Sequence, residues 1–315
     1  MRFAATPFPN AGLMAAVEQL PPFSPFNTTA YATAMQSLGA EPYILTLDDG
    51  RGAGCLGMLR LGRFSAAFTI PSLSRLTDPA PFFEGLQSFC RARSVWDLEI
   101  TTFGSDWKGA IPVVGTELSR RPRWEFVASL SDGGGLDLST NHRRNAIKAE
   151  RAGVVCRRTR DPSAVAVHVA ASHASMERRT ARGEVVDASQ IGREASALLQ
   201  SQAAELFQAV HEGVVVSSLL VVRSARVAYY HSAGTTPDGM RLGASPLLVS
   251  WVAATLAGEG VAEFNLGGAE PTNAGLYRFK EGFGADVREL EALSCSVVAS
   301  WRRRVRAVLR WIARV

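Results

Sequence analysis

No apolar run in the chain approaches the roughly 18–20 residues that a membrane span needs. The opening stretch, "MRFAATPFPNAGLMAAVEQLPPF", is broken by prolines and an acid and lacks the continuous apolar core of a signal peptide. Cysteine is scarce: Cys55, Cys90, Cys156 and Cys295 stand far apart, with no CxxC pair and no metal-ligand spacing. That argues against a structural zinc site, so no metal is expected, and reduced thiols in a cytoplasmic protein are. GxSxG, HExxH, Walker A and the glycine-rich dinucleotide fingerprint are all missing, so hydrolase, metalloprotease and nucleotide-kinase chemistry has no support. Acid is missing from residues 301–315, "WRRRVRAVLRWIARV", which hold six arginines. The net charge of +5 is therefore a local property, because the remainder of the chain carries −1.

What is present is material for real cores. Apolar residues make up 47% of 315 positions and charged ones 20%, which suits two domains of about 150 residues each. Periodicity reveals an approximate repeat. "EPYILTLDDGRGAGCLGMLRLGRFSAAFTI" reads as three strands joined by turns, the first at Asp49-Gly50, followed by the helix "APFFEGLQSFCRARS" and the strand "VWDLEI". "AELFQAVHEGVVVSSLLVVRSARVAYYHSAG" repeats the three strands, with a turn at Glu212-Gly213, then the helix "SPLLVSWVAATLAGEG" and the strand "VAEFNL". The expected fold class is mixed α/β, with largely antiparallel sheets and helices, and the strand "VVVSSLLVV" buried on both faces. The boundary falls at "SDGGGLDLST", giving domains 1–130 and 131–298 and a basic helix 299–315. Ser139 or Thr140 caps a helix through "NHRRNAIKAERAG" that ends at Gly153, and helices over "DPSAVAVHVAASHASMERR" and "DASQIGREASALLQSQ" follow.

Four segments could carry chemistry. In "GMRLGASPLLVSWVAATLAGEG", Ser245 is the expected N-cap and Pro246 the first helical residue, while Gly243 and Ala244 leave backbone N–H groups open to an anion. The plain alternative is a well-capped helix. In "VAEFNLGGAEPTNAGLYRFKEGFGA", a strand delivers Asn265 to a Gly267-Gly268 exit, followed by Glu270. Burial that raised its pKa would make Glu270 a general base. Lys280, beside Phe279 and in the same segment as Tyr277 and Arg278, is expected at a pocket rim, stabilising an oxyanion or a phosphate. The alternative is a solvated charge among core aromatics. In "VAYYHSAGT", alternation sends Tyr229 and His231 to one face and Tyr230 to the other, lining either a cleft or the core. Arg144 and Lys148 share a helix face at i, i+4, where they grip phosphates or simply face water.

"HRRNAIKAERAGV", "YYHSAGT", "GASPLLVSWVAATLAGEGVAEFNLGG" and, most specifically, "GLYRFKEGFGA" together resemble the Fem-like branch of the GNAT acyltransferase superfamily, over most of residues 125–293. The resemblance implies two tandem GNAT-like units with the active site in the C-terminal one, and N-acyl transfer from an activated donor to an amine acceptor. Relatives act in cell-envelope and polysaccharide biosynthesis. By position, Phe279 and Lys280 line the acyl-transfer site, with the lysine stabilising transition-state charge, and Glu270 or a water relays the proton. Gly243, Ala244 and Ser245 fall where the donor pyrophosphate is cradled. Tyr277, Arg278, Asn265, Tyr230, His231, Arg144 and Lys148 are the expected substrate-binding residues. The donor is acyl-CoA or an aminoacyl-tRNA: the GNAT loop pattern (Gln/Arg)-x-x-Gly-x-(Gly/Ala) is departed from at Met240 and Ser245. The chain also lacks a heptad-bearing insertion, so it has no coiled-coil arm. Two alternatives stay open, a tRNA-dependent aminoacyltransferase acting on a peptidoglycan precursor or other peptide, and a non-catalytic membrane-associated scaffold with a degenerate GNAT fold.

Trp301, Val305, Val308, Leu309 and Ile312 form an apolar stripe on the arginine-rich segment. Such a helix lies on an anionic membrane surface, packs on the protein body, or contacts tRNA phosphate. The membrane reading implies a lipid-linked acceptor and a peripheral location on the inner face of the membrane.

Overall fold

The computed structural model describes residues 2–48, 53–63, 65–130, 135–180 and 190–298. The Asp49-Gly50 turn, residues 131–134, Asp187 to Ser189 and the basic segment 299–315 lie outside the described residues. Contacts divide the chain into two units, one ending at Arg123 and resuming at Leu290, the other Trp124–Glu289. Residues 124–130, read from the sequence with the first domain, thus belong to the second unit, and 290–298 to the first. Two strands run through these boundaries, which is why the glycine-rich segment at 131–140 does not mark them.

The first unit holds β1 (Arg2–Pro7), α1 (Ala11–Glu18), α2 (Thr29–Ser37), β2 (Glu41–Asp48), β3 (Ala53–Leu61), β4 (Ala66–Ile70), α3 (Ala80–Ala92), β5 (Val95–Ile100) and the start of β6 (Thr116–Ser129). β2, β3 and β4 form an antiparallel meander, and α3 returns the chain so that β5 lies parallel to β4. Phe82, Phe83, Leu86 and Cys90 line one face of α3 and enter a core with Leu45, Phe68 and Leu98. Cys55 and Cys90 are sealed in this core, where burial pushes their thiols up to about 12, so they are inert at neutral pH. All four cysteines are free.

The second unit repeats the plan. It contains α4 (Thr140–Arg151), β7 (Val155–Thr159), α5 (Ala164–Thr180), α6 (Ile191–Gln200), β8 (Ala204–His211), β9 (Val214–Arg223), β10 (Val227–Thr235), α7 (Pro237–Leu242), α8 (Ala244–Gly258), β11 (Glu263–Gly268), α9 (Ala274–Glu281) and the start of β12 (Asp286–Ser296). β8, β9 and β10 are the meander, and β11 is parallel to β10, with Val227 opposite Glu263. β9 is buried on both faces as expected. Leu219 and Val221 join the core that α8 fills, while Ser218 on the other face meets His168 of α5. α8 is apolar on nearly every side because α4 covers the face the sheet does not. α4 starts where expected, with the Ser139 hydroxyl accepting from the His142 N–H at 3.3 Å.

His168 is fully buried, its ring nitrogens 2.9 Å from the hydroxyls of Ser218 and Ser232. Burial, helped by the nearby His231, lowers its pKa to about 4 from the ordinary 6.5. The folded state therefore holds the neutral ring while the unfolded chain takes up a proton below pH 6.5. The contribution is complete above that pH and is lost as pH falls toward 4. Urea unfolding at pH 7 and pH 4.5 is expected to show a loss of up to roughly 3 kcal/mol that His168→Gln abolishes. Equal pH dependence in that variant would assign the loss to other groups.

Candidate active site

Gly243 ends α7 and begins α8, with φ +81°. A Cβ there would fall 2.6 Å from the Asn145 carbonyl oxygen, so both the left-handed backbone and the approach of α4 require glycine. Lys148 reinforces this junction by donating to the Arg241 carbonyl at 2.5 Å, at the C-terminal end of α7. The N-cap of α8 is Gly243 and not Ser245, so the helix starts without a capping side chain. Ser245 lies inside the first turn, its hydroxyl 2.6 Å from Thr235 Oγ1 and 3.3 Å from Ser217 Oγ. The expectation of Ser245 as cap fails because its hydroxyl bonds strands instead. Ala244 is fully buried and does not line the neighbouring cleft, so the structure does not bring it to the donor site expected of it.

A cleft of about 440 Å³ opens at this end of α8. Its walls come from α4 (His142, Asn145), α5 (Arg178), the α7–α8 junction (Gly243, Ser245) and α9 (Phe279). Arg178 donates to the Thr235 carbonyl at 2.5 Å and to Ser175 Oγ at 3.0 Å, which fixes a positive charge on the wall. Asp and Glu are absent from the described residues that line it.

The segment "GLYRFKEGFGA" forms α9 and its exit turn. Asn273 caps the helix, accepting from the Leu276 N–H at 3.2 Å. The Lys280 reading needs correction: its side chain is the buried one on α9, only 5% exposed, at neither a pocket rim nor a solvated face. Its Nζ donates to the Gly268 carbonyl at 2.6 Å and lies 5.6 Å from the centre of the Tyr230 ring. The glycines of this segment make room. A Cβ at Gly282 would meet His142 Nε2 at 2.8 Å, and one at Gly284 would meet the Asp137 carbonyl at 2.6 Å. The α4 end of the unit is thus docked against the α9 turn.

The other expected residues scatter. Asn265 is fully buried, donating to Glu125 Oε2 at 2.8 Å and accepting from the Gly267 N–H at 2.8 Å, so its polar atoms serve the fold. Glu270 is exposed and accepts from the Thr272 hydroxyl, so the burial on which its role as a base depended is lacking. A bulge between Tyr230 and Ser232 leaves His231 outside the strand register and interrupts the expected alternation. His231 lies 3.5 Å from Glu194, and Tyr230 is half-buried with a hydroxyl whose pKa burial raises. Arg144 and Arg278 are exposed, the latter bonded to the Ala274 carbonyl of its own helix, and Tyr277 stacks edge-on against Phe126 at 4.8 Å.

Three residues escaped sequence reasoning. Glu125 is a fully buried carboxylate that accepts from Tyr229 Oη at 2.9 Å as well as from Asn265. A Cβ on Gly267 would sit 3.3 Å from Lys280 Nζ and 3.7 Å from Tyr229 Oη, so these polar ends gather around that glycine. His142 is buried, donates from Nε2 to the Phe279 carbonyl at 2.7 Å, and packs on Phe283 with ring centres 4.4 Å apart. Its Nδ1 is buried with no hydrogen-bond partner, which costs about 1–3 kcal/mol. Burial lowers its pKa, partly opposed by the Phe279 carbonyl. Arg178 is the third. A signal for His142 existed, since it shares the buried face of α4 with Ala146 and Ala149 at i+4 and i+7.

Residues 137–281 match the model of the acetyltransferase (GNAT) domain, so the second unit carries that transferase domain. The fold as a whole is Fem-like. It is similar to FemX, with a TM-score of 0.67 and 13% identity over 92% of this chain and 97% of that one. It is also similar to L-PGS from Bacillus licheniformis (TM-score 0.53, 12% identity, 95% and 96% covered). A tandem GNAT protein from the clavulanic acid biosynthesis pathway matches at a TM-score of 0.50 and 13% identity, with 95% and 100% covered. No curated protein matches the sequence. Among the described residues no group of His, Cys, Asp and Glu is placed to hold a metal ion, and no helix is long and apolar enough to cross a membrane.

Proposed function

We propose that the protein is an N-acyltransferase that moves an acyl or aminoacyl group from an activated donor to the amine of an acceptor used in cell-envelope or polysaccharide biosynthesis. The cleft at the uncapped end of α8 carries this reading. The positive end of the helix dipole suits a donor phosphate, and Arg178 adds a cation on the same wall. Positioning the two substrates supplies most of the rate. Lys280, which does not line the cleft, contributes a fixed positive charge at the exit of β11 without touching the acyl group.

The Fem-like fold favours a second donor, an aminoacyl-tRNA. The likeness to L-PGS, an aminoacyl-phosphatidylglycerol synthetase, favours a lipid-linked acceptor, which residues 301–315 would help to reach at an anionic surface. Thermal unfolding with acetyl-CoA, a longer acyl-CoA or aminoacyl-tRNA tests the donor. One of them is expected to stabilise the protein by about 2.7 kcal/mol at a hundred times its Kd. A shift with a CoA thioester selects the acyl-CoA route, and a shift with charged tRNA alone selects aminoacyl transfer. No shift with any of them would leave the scaffold reading in place.

A further inference from the structure

An amine that forms an amide must give up a proton, and something at the cleft has to receive it. The described residues lining the cleft are asparagines, small hydroxyl-bearing and apolar residues, Arg178 and His142. Arginine stays charged throughout the working range, and the hydroxyls and amides are not bases. His142 alone among them exchanges a proton near neutrality.

The geometry prepares it for that task. Nε2 donates to the Phe279 carbonyl at 2.7 Å, so the proton of the neutral ring is held there and Nδ1 carries the lone pair. Phe279 and Phe283 hold the ring from two sides, with centres 5.2 and 4.4 Å away. Nδ1 has no hydrogen-bond partner in the protein. A buried acceptor left in that state calls for an explanation, and an arriving N–H group would complete it. The charges nearby do not disturb the neutral form. Arg178 lies on the cleft wall, and Arg143 and Arg144 are exposed on His142's own helix, the former 3.9 Å from Asp137. From α9, Lys280 points to the Gly268 carbonyl and Glu281 is exposed.

We infer that His142 is the general base of the cleft: its Nδ1 takes the proton that the acceptor amine loses as the new bond forms. This rests on the acyl-transfer reading. The amine nitrogen bonds to the donor carbonyl carbon, and the proton it sheds passes to Nδ1. The bond from that carbon to the thioester sulfur or ester oxygen then breaks. The imidazolium returns the proton to the departing sulfur or oxygen, so His142 ends neutral and the products are an amide and a thiol or alcohol. Glu270, exposed and away from the cleft lining, has no part in it.

His142→Gln separates this role from packing, because a glutamine amide can still donate to the Phe279 carbonyl but has no basic nitrogen. Turnover of acetyl-CoA or alanyl-tRNA with a panel of primary amines is measured from pH 5 to 8. Wild-type kcat/KM is expected to rise with pH through a value below the ordinary histidine 6.5. His142→Gln is expected to lose about a hundredfold in kcat, together with that limb, while donor Kd stays unchanged. A wild-type rate and profile in His142→Gln would overturn the assignment. Should the variant fail to fold, nitrogen NMR of the wild-type imidazole decides. Nδ1 is expected unprotonated at pH 7 and shifted when desulfo-CoA and an amine are added together, and a protonated or unresponsive Nδ1 overturns it. Absence of donor binding by the wild-type protein would instead defeat the acyl-transfer reading itself.

Discussion

Lys280→Ala is expected to lower both stability and turnover, more than any other single change in α9. The ammonium is buried and donates to the Gly268 carbonyl at 2.6 Å, and its removal takes that donor away from a carbonyl at the exit of β11. Losing a charged donor and leaving its acceptor unmatched costs about 1–3 kcal/mol, which for a unit of this size lowers Tm by roughly 5 °C. Loss of the fixed charge at the β11 exit is expected to reduce kcat on the order of a hundredfold. Urea unfolding and single-turnover kinetics read the two effects separately. A Lys280→Ala protein with full turnover would remove the lysine from the mechanism, and one with unchanged unfolding would remove it from the Gly267 cluster.

Gly234→Ala strikes the cleft through the fold. A Cβ at this position would lie 2.1 Å from the backbone carbon of Ala171 and 2.1 Å from the backbone nitrogen of Ser172, and no side-chain rotation relieves a contact with backbone. α5 has to move away from β10, at an overpacking cost of about 1–3 kcal/mol or more. The same helix presents Ser175 and Arg178 to Thr235, so the displacement is expected to stretch those bonds and weaken donor binding at least tenfold. Gly258→Ala, at the end of α8 with nothing within 4 Å of the new Cβ, is the control, and it is expected to be neutral or stabilising by about 0.4–1 kcal/mol. Donor Kd and urea midpoints for the two variants check both statements. Equal Kd values would detach the position of α5 from binding.

Much of the architecture was legible because it is written in local periods. The two meanders followed by a helix and a further strand appear in the alternation and turn residues of both halves, and the continuous run of β9, broken only by two small serines, announced burial on both faces. The glycine-bearing segment ahead of α8 was legible as an opening into a helix, although α7, which precedes it, was read as loop. The register of α8 was not legible. Ser245 looked like a cap until the strand hydroxyls of Ser217 and Thr235, 28 and 10 residues away in sequence, competed for it.

Within the site, the sequence by itself determined which elements would exist, where glycine was required, and which family's motif the α9 segment resembles. These follow from backbone sterics and from apolar spacing within a dozen residues. Tertiary structure alone decided which polar groups are buried and with whom. Asn265 meets Glu125 across 140 residues, Tyr229 meets Glu125 across 104, and His142 reaches Phe279 across 137. A buried charge or lone pair is defined by partners and by exclusion of water, and neither quantity has a local signature in the chain.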